Sequence, residues 1–412
     1  MRYTAFYRTL FLMAFLSVAI VSNDLCAQTA ETETAASSAS DTVRVSLLTC
    51  SAGTEIYSLF GHTAIRYEDP AADIDYVFNY GLFSFDTPNF IWRFMLGQTD
   101  YLLGINYYAD FVRAYKASGR KVTAQYLNLS SEEKRRLYEA LIENYRPENR
   151  TYRYNFLYDN CATRPRDKIE ECLNGTLVYA PHATDSPVTY RQIIHQYSKD
   201  YAWDTFGMDF CLGSRADLPI DNRQEMFAPF YLAAHFAAAR IIPHDASHPE
   251  YNIVSHTIDL LPETAPSVEP SVVTPLLLFV LLLIVGAGAT VYDVRRHRLL
   301  WGLDAILFAV AGLAGCLLTF LVFFSEHPAV SSNYLLWVFH PLHLFAVPWM
   351  IVAERKSRLC AYHYINVLLI LSFLLFIPFS PQYINPAIVP IVLCLLIRSA
   401  ANIIITYQRK RR

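Results

Sequence analysis

Two short segments contain the residue types of a thiol nucleophile and its base. In the first, FGHTAIR at residues 60–66, His62 begins a predicted strand directly after Gly61, which permits a tight turn. In the second, YDNCATR at residues 158–164, Cys161 falls in the first turn of a predicted helix. The positive end of the helix dipole favours a thiolate there, and the free N–H groups of that turn can hold an oxyanion. A histidine within reach would take the thiol proton and later deliver it to a leaving group.

A third polar group usually orients such a histidine, and Asn79 on the next predicted strand is the candidate. Arg66 shares a strand face with His62, so it could hold a phosphate or a carboxylate, although a surface ion pair is an equal alternative. The residues expected to contact substrate are Asn160, Arg66, Arg164 and Tyr80. The simpler alternatives are that Cys161 is a structural or disulfide cysteine and that His62 is a surface or core histidine.

The elements that must position these residues are strands mixed with helices. The predicted strands are residues 43–48, 62–67, 76–79 and 122–127. Ser130 and Glu133 have the spacing of a capping box, which opens a helix to about Asn144. A second helix is predicted to begin at Asn160, a good N-cap, and to run past Cys172. Because strands and helices do not alternate strictly, the fold class is predicted to be α+β.

Five apolar spans are predicted in the C-terminal third, each near the ~20 residues that cross a bilayer. They are residues 275–292, 299–324, 334–353, 364–379 and 386–405. Basic residues follow the first, third and fifth spans, whereas the other two loops contain neither lysine nor arginine. The positive-inside rule therefore places the preceding domain outside the cytoplasm and the C-terminus inside. The alternative is that these runs are buried core helices.

The predicted organisation has four parts: a signal peptide (1–27), an exported domain (28–261), a linker (262–274) and a membrane domain (275–412). The first 27 residues combine basic residues with an apolar run, and cleavage is expected near Ala27. A lipid anchor at Cys26 is not expected, because the residue before it is Leu25 and not a small one. If the segment is not cleaved, it becomes an anchor, and the domain is exported either way.

The composition supports a membrane protein and excludes other classes. Of 412 residues, 53% are hydrophobic and only 17% are charged, and the net charge is −3. The near-neutral balance argues against a nucleic-acid-binding protein. His244, His248 and His256 match no metal-site template, so neither a metal nor a cofactor is expected. The aromatic stretch at residues 90–95 could dip into lipid, but a core helix is the preferred interpretation.

Four cysteines fall in the predicted exported domain: Cys50, Cys161, Cys172 and Cys211. By default four exported cysteines suggest two disulfides. If Cys161 and Cys172 share a helix, they lie roughly 16 Å apart, beyond the ~7 Å that a disulfide allows. Pairing of Cys161 with Cys50 or Cys211 remains open.

The order of a histidine on a strand followed by an Asn-Cys pair that opens a helix resembles circularly permuted, NlpC-type papain-like enzymes. More closely, the chain resembles the Bacteroides-type lipoprotein N-acyltransferase (Lnb) family. The segments that carry this resemblance are SLFGHTAIRY (58–67), FNYGLFSF (78–85), GRKV (119–122), NFLYDNCATRPRD (155–167), TYRQI (189–193) and MFAPFYL (226–232). It covers the exported domain and extends to the five-span tail.

The resemblance implies a transacylase in a bacterial inner membrane with its catalytic domain in the periplasm. An acyl chain from a membrane phospholipid would pass through a Cys161 thioester to the α-amine of the diacylated N-terminal cysteine of an apolipoprotein. The family's cysteine corresponds to Cys161 and its histidine to His62, and the third catalytic residue does not carry over.

Three other functions fit the same residues. A peptidoglycan endopeptidase or amidase is the common role of NlpC-type domains, although it would not need five spans. A phospholipase or thioesterase would use the same pair of residues with water as acceptor. A membrane sensor or scaffold would use Cys161 only as a disulfide partner.

Overall fold

The computed structural model describes residues 42–180, 188–265, 269 and 271–411. The predicted signal peptide and Cys26 lie outside the described residues. A seven-stranded antiparallel sheet organises the part of the chain before the apolar spans. Its strands are β1 (Arg44–Cys50), β2 (His62–Asp69), β3 (Ile74–Leu82), β4 (Asp100–Tyr107), β5 (Val122–Leu127), β6 (Thr151–Arg153) and β10 (Val254–Leu261). Their order in space is β10-β5-β1-β2-β3-β4-β6, so β1 and β2 lie at the centre.

A second, three-stranded antiparallel sheet and eight α-helices complete this domain within the described residues. The small sheet contains β7 (Gly175–Val178), β8 (Arg240–Pro243) and β9 (Tyr251–Asn252). The helices are α1 (Phe90–Leu96), α2 (Tyr108–Ala117), α3 (Ser131–Tyr145), α4 (Thr163–Glu171), α5 (Tyr190–Ser198), α6 (Ala202–Cys211), α7 (Asn222–Glu225) and α8 (Pro229–Ala238). The predicted α+β class is therefore confirmed.

Helices cover both faces of the large sheet, which explains why its central strands are buried along nearly their whole length. Leu47, Ile65 and Phe78 share one core with Leu137 of α3 and with Ile169 of α4. The side chains of the alternate strand positions, among them Leu48, Ala64 and Val77, pack in a separate core with Phe111 of α2. Apolar burial of this extent dominates the stability of such a domain.

The four predicted strands correspond to β1, β2, β3 and β5. The helix predicted after Ser130 is α3, and the expected capping box of Ser130 and Glu133 is present at its N-terminus. The second predicted helix differs at both ends. It begins at Thr163 and ends at Glu171, so Cys161 precedes the helix instead of lying in its first turn. The helix starts later because Asn160 and Cys161 form a turn of their own in front of it.

Five helices in the described part of the chain are long and apolar enough to span a membrane, as predicted. Their bounds are Pro275–Arg296 (α9), Trp301–Phe324 (α10), Tyr334–Arg355, Ala361–Phe379 and Ile388–Arg411 (α13). The third contains the α-helix Leu342–Arg355 (α11), and the fourth contains Ala361–Phe376 (α12). Short 3-10 turns at Tyr334–Trp337 and Ile377–Phe379 complete these two spans.

A buried charge network ties the domain to the loop between the fourth and fifth spans. Arg191 of α5 is 2% exposed and pairs with Asp209 and Asp217, each at 2.8 Å. The second carboxylate oxygen of Asp209 accepts a hydrogen bond from Nδ2 of Asn385 at 2.8 Å. The carboxylate of Asp217 accepts one from the backbone N–H of Tyr383 at 3.2 Å. The exported domain is therefore anchored to the membrane part at a fixed place.

Candidate active site

His62 begins β2, opposite Cys50 of β1. The residue before it, Gly61, has a φ of 78°, and a Cβ there would lie 2.5 Å from the carbonyl oxygen of Cys50. Only glycine fits this close approach without displacing the backbone. The turn at Gly61 therefore fixes the position of the His62 backbone at the start of β2.

Two asparagines hold the ring of His62. Asn79 is buried on β3, and its Nδ2 donates to the carbonyl of Val77 at 3.2 Å and to Oδ1 of Asn106 at 3.0 Å. These bonds orient the amide so that its Oδ1 lies 3.1 Å from Nε2 of His62. Because that oxygen can only accept, we assign the proton to Nε2, which leaves the lone pair on Nδ1. Asn79 thus lies where a residue that orients the histidine would lie.

His62 is neutral at physiological pH. Burial lowers the pKa of its imidazole to about 4; the hydrogen bond with Asn79 raises that pKa, and the positive charge of Arg120 lowers it further. The lone pair on Nδ1 is therefore available to accept a proton across the physiological range.

Cys161 lies in the turn that leads into α4, and Asn160 shapes this turn. The Oδ1 atom of Asn160 accepts from the backbone N–H groups of Ala162 and Thr163 at 2.8 and 3.0 Å. Its Nδ2 atom donates to the carbonyls of Phe156 and Phe227. Asn160 therefore ties the turn to the rest of the domain and determines where Cys161 points.

The expected thiolate is not the resting form of Cys161. Burial raises the pKa of its thiol from 9.0 to about 11, although hydrogen bonds from the backbone N–H groups of Thr63 and of Cys161 itself lower it. The helix-dipole prediction was wrong because Cys161 precedes α4 and because burial outweighs the nearby donors. For Cys161 to act as a nucleophile, a base must take its proton during the reaction.

Backbone N–H groups near Cys161 are the candidate donors for stabilising an oxyanion. Free N–H groups were predicted in the turn that contains Cys161, but Oδ1 of Asn160 already accepts from those of Ala162 and Thr163. The N–H groups of Thr63 and Cys161 instead lower the pKa of the thiol, so they are the candidate donors. Since Thr63 follows His62 directly, the imidazole-bearing strand lies near Cys161. A thiol influenced by two backbone N–H groups, one of them adjacent to a neutral histidine, forms a candidate site for nucleophilic chemistry.

Arg120 is a charged residue of the site that no chemical motif in the sequence marks, although it lies in the segment GRKV. Its guanidinium donates to the carbonyl of Ser51 through Nε at 2.7 Å and lies 4.7 Å from the ring centre of Tyr115. Its positive charge lowers the pKa values of both His62 and Cys161. Arg120 therefore stabilises the neutral imidazole and the developing thiolate together. Asn106 and the Thr63 N–H were also missed, because neither is marked by any local sequence pattern.

The structure assigns structural roles to the residues predicted to bind substrate. Asn160 is 3% exposed, and its side-chain atoms are occupied by the backbone bonds described above. Tyr80 is fully buried and donates its hydroxyl hydrogen to Oδ1 of Asn144 at 2.7 Å. Neither side chain is accessible to a substrate, so these two predictions were wrong. Burial of this kind is decided by packing, which single-residue patterns do not show.

Both arginines predicted to hold an anion are already paired. Arg66 contacts both carboxylate oxygens of Asp75, at 2.7 and 2.8 Å, and its guanidinium lies over the ring of Tyr108. Arg164 binds the carboxylate of Asp159 in the same two-fold manner and lies over the ring of Tyr152. Arg66 forms the ion pair of the alternative, but the residue is buried and does not lie at the surface. Arg164 holds the loop that precedes Cys161 through Asp159.

Cys50, Cys161, Cys172 and Cys211 are all free. The default of two disulfides was therefore wrong, and Cys161 is not a disulfide partner in this structure. Cys50 is fully buried, and burial raises the pKa of its thiol to about 12. Cys161 is the partly exposed thiol among those next to His62, which fits the role of a nucleophile.

Comparison with known families gives two matches. The model of the Lnb N-terminal periplasmic domain matches residues 30–196, and the model of the Lnb transmembrane domain matches residues 267–410. The first match contains His62, Asn79 and Cys161, and the second contains the five spans. The searches of curated proteins and of solved structures found no match. The two matched domains, in this order, show that the chain belongs to the Lnb family.

Proposed function

We propose that the chain is a lipoprotein N-acyltransferase. It moves an acyl chain from a membrane phospholipid, through a thioester on Cys161, to the α-amine of the diacylated N-terminal cysteine of an apolipoprotein. The observation that carries the proposal is the close packing of Cys161 against Gly81 of β3, the strand that also contains Asn79, which orients a neutral His62. The backbone N–H of Thr63, the residue after His62, lowers the pKa of the Cys161 thiol. Membership of the Lnb family supports the lipoprotein substrate.

In the first half-reaction, Nδ1 of His62 takes the thiol proton as Sγ of Cys161 attacks an ester carbonyl of the phospholipid. The N–H groups of Thr63 and Cys161 stabilise the tetrahedral oxyanion. The C–O bond to the glycerol oxygen breaks, and the imidazolium gives its proton to that oxygen. The products are a lysophospholipid and an acyl thioester on Cys161.

In the second half-reaction, the lipoprotein amine attacks the thioester carbonyl. His62 takes a proton from the attacking nitrogen, and the same two N–H groups stabilise the second oxyanion. The C–S bond breaks, and the sulfur of Cys161 recovers the proton. One site therefore serves both steps, and the kinetics should be ping-pong.

The proposed location is a bacterial inner membrane. The domain with the Cys161 site lies in the periplasm, and the C-terminus with its four basic residues lies in the cytoplasm. Phospholipid and lipidated lipoprotein both reside in this membrane, so the spans hold the site at a high effective concentration of both substrates.

Mass spectrometry of lipoprotein N-termini tests this function in cells. Cells with the wild-type chain should carry an N-linked acyl chain on the diacylglyceryl cysteine. Cells with Cys161→Ala as their sole copy should lack that chain and keep the diacylglyceryl group. Unchanged lipoproteins in the mutant would contradict the proposal. Lysophospholipid and free fatty acid without N-acylation would indicate a phospholipase, and altered muropeptides would indicate a peptidoglycan hydrolase.

A further inference from the structure

An exposed apolar surface extends from the candidate active site toward the membrane spans. We call it the aromatic ledge, and it consists of Tyr57, Leu82, Phe85, Ile91, Trp92 and Phe94. These side chains are between 40% and 64% exposed, although all six are large and apolar. A contiguous apolar patch of this kind on an exported domain marks an interaction surface.

The ledge includes the aromatic helix α1, for which the preferred sequence interpretation was a core helix. That interpretation was wrong, because none of the residues of α1 is buried. The alternative, contact with lipid, fits the structure better. An apolar run alone cannot distinguish the two, since both require the same residue types.

The end of α10 fixes the ledge at the level of the membrane surface. The ring of Trp92 lies 4.7 Å from that of Phe320, which belongs to this membrane-spanning helix. The segment just after α10 adds two hydrogen bonds: the backbone N–H of Glu326 donates to the carbonyl of Leu96 at 2.8 Å, and Nε2 of His327 donates to the carbonyl of Phe94 at 2.7 Å. Exposed aromatic side chains at this height lie among lipid headgroups and upper acyl chains.

Phe83 joins the ledge to the candidate active site. Its ring stacks on that of Phe90 at 5.5 Å and on that of Tyr101 at 4.8 Å. The phenol of Tyr101 is close enough to Cys161 for the two groups to interact electrostatically. Gly81, two residues before Phe83, lies against the nucleophile, because a Cβ there would be 3.4 Å from Cβ of Cys161. Packed aromatic side chains and the strand around Gly81 therefore connect the ledge with the surroundings of Cys161.

We propose that the aromatic ledge receives an acyl chain of an outer-leaflet phospholipid and leads its ester carbonyl to Cys161. This inference rests on the proposed function, because it assigns the acyl donor to that site. The side chains of the ledge are uncharged and offer mainly apolar faces, which suit a hydrocarbon chain. Arg93 of α1 does not add an unpaired charge to the ledge, because its guanidinium pairs with the carboxylate of Asp100. A chain lying on the ledge would also exclude water from the thioester, which favours the amine as acceptor.

Single substitutions on the ledge test this inference in the full-length protein reconstituted with phosphatidylethanolamine and phosphatidylglycerol. Ile91→Asn and Phe85→Ser are suited, because both side chains are about half exposed or more. Ile242→Asn is the matched control, since Ile242 is 47% exposed on the small sheet, outside the ledge. Acylation of Cys161 is measured by mass spectrometry with two donors: the phospholipid of the bilayer and the water-soluble ester p-nitrophenyl acetate.

The ratio of the phospholipid rate to the soluble-ester rate should fall about tenfold in the ledge variants, as expected for the loss of one apolar contact, and should not change in the control. An unchanged ratio in both ledge variants would overturn the inference. Normal phospholipid-derived thioester with slower transfer to the lipoprotein would also overturn it, because the ledge would then serve the acceptor.

A second measurement separates failure of this inference from failure of the proposed function. A phospholipid with a photoactivatable acyl chain is cross-linked to the Cys161→Ala variant, which does not turn over. Cross-links should concentrate in residues 82–94, and their absence from this segment would overturn the inference. If wild-type Cys161 is acylated by p-nitrophenyl acetate but never by phospholipid, the proposed function fails and the assignment of a donor to the ledge fails with it.

Discussion

His62 can act as a base only while its imidazole is unprotonated, and burial extends that condition to low pH. Because the pKa of His62 is lowered from 6.5 to about 4, acylation of Cys161 by p-nitrophenyl acetate should persist well below pH 6.5. The rate should fall only as the pH approaches about 4, where the ring takes up a proton. Initial rates across this range, corrected with Cys161→Ala, check the prediction. A half-maximal rate near pH 6.5 would contradict it.

Asn79 acts through His62, so its substitution should change a pH profile as well as a rate. Asn79→Ala removes the acceptor for Nε2, and loss of ring orientation should slow acylation by about a hundredfold. Because the bond to Asn79 raises the pKa of His62, the acid limb should also move to lower pH. Asn79→Asp should move that limb upward, since a carboxylate favours the imidazolium. A loss of rate with the acid limb unmoved in both variants would argue for a merely structural role.

At this scale the sequence predicts the candidate reacting groups but not the groups that contact them. His62, Asn79 and Cys161 stand out because few residue types supply a nucleophile, a base or an orienting amide. The polar atoms of Asn160 and Tyr80 are hydrogen-bonded to groups distant in sequence. Nδ2 of Asn160 donates to the carbonyl of Phe227, and the hydroxyl of Tyr80 donates to Oδ1 of Asn144. Every residue except proline carries a backbone N–H, so the sequence does not indicate which of them, such as that of Thr63, serves as a donor.

The turn that presents Cys161 depends on Asn160, which binds two N–H groups and two carbonyls. Asn160→Ala should lower the free energy of unfolding by about 1–3 kcal/mol, because buried backbone groups lose their partners. It should also reduce acylation of Cys161, whose turn loses its ties. Thermal unfolding in detergent and the soluble-ester rate measure the two effects.

Ser130→Ala provides the matched control, because Ser130 caps α3 through a capping box that does not touch Cys161. It should cost about 1 kcal/mol of stability and leave the acylation rate at its wild-type value. If Asn160→Ala behaved like Ser130→Ala, with stability lost and the rate kept, the assigned role of the turn would be wrong.

The start of α4 shows why the ends of elements are harder to predict than single residues. Asn160 is a good N-cap by residue type, but the helix begins after a further turn.

The whole molecule depends on a fixed junction between the exported domain and the spans, and Arg191 lies at its centre. Arg191→Met leaves the buried Asp209 and the partly buried Asp217 without this cation, so it should destabilise the protein by about 3–5 kcal/mol. Arg135→Met is the matched control, since Arg135 forms only exposed ion pairs on α3, and it should change stability by less than about 1 kcal/mol. Thermal unfolding of both variants in detergent checks this. An equal loss of stability in the two variants would contradict the role assigned to Arg191 at the junction.

The large-scale architecture was the most predictable part of the chain. Five long apolar runs specify spans almost by composition, and the basic residues that follow only the first, third and fifth specify their orientation. The junction around Arg191 was invisible in the sequence, although TYRQI was recognised as a family segment. It joins residues of α5 and α6 to a loop near residue 385, and no local pattern reports contacts over such a separation.

The most direct test of the central claim is the detection of an acyl group on Cys161. Wild-type protein in phospholipid bilayers, without lipoprotein, should accumulate a hydroxylamine-sensitive thioester, and peptide mass spectrometry should place it on Cys161. Addition of a diacylated lipopeptide with a free α-amine should remove the acyl group from Cys161 and yield the N-acylated lipopeptide. An acyl group on another residue, or N-acylation that continues in Cys161→Ala, would contradict a thioester mechanism at this site.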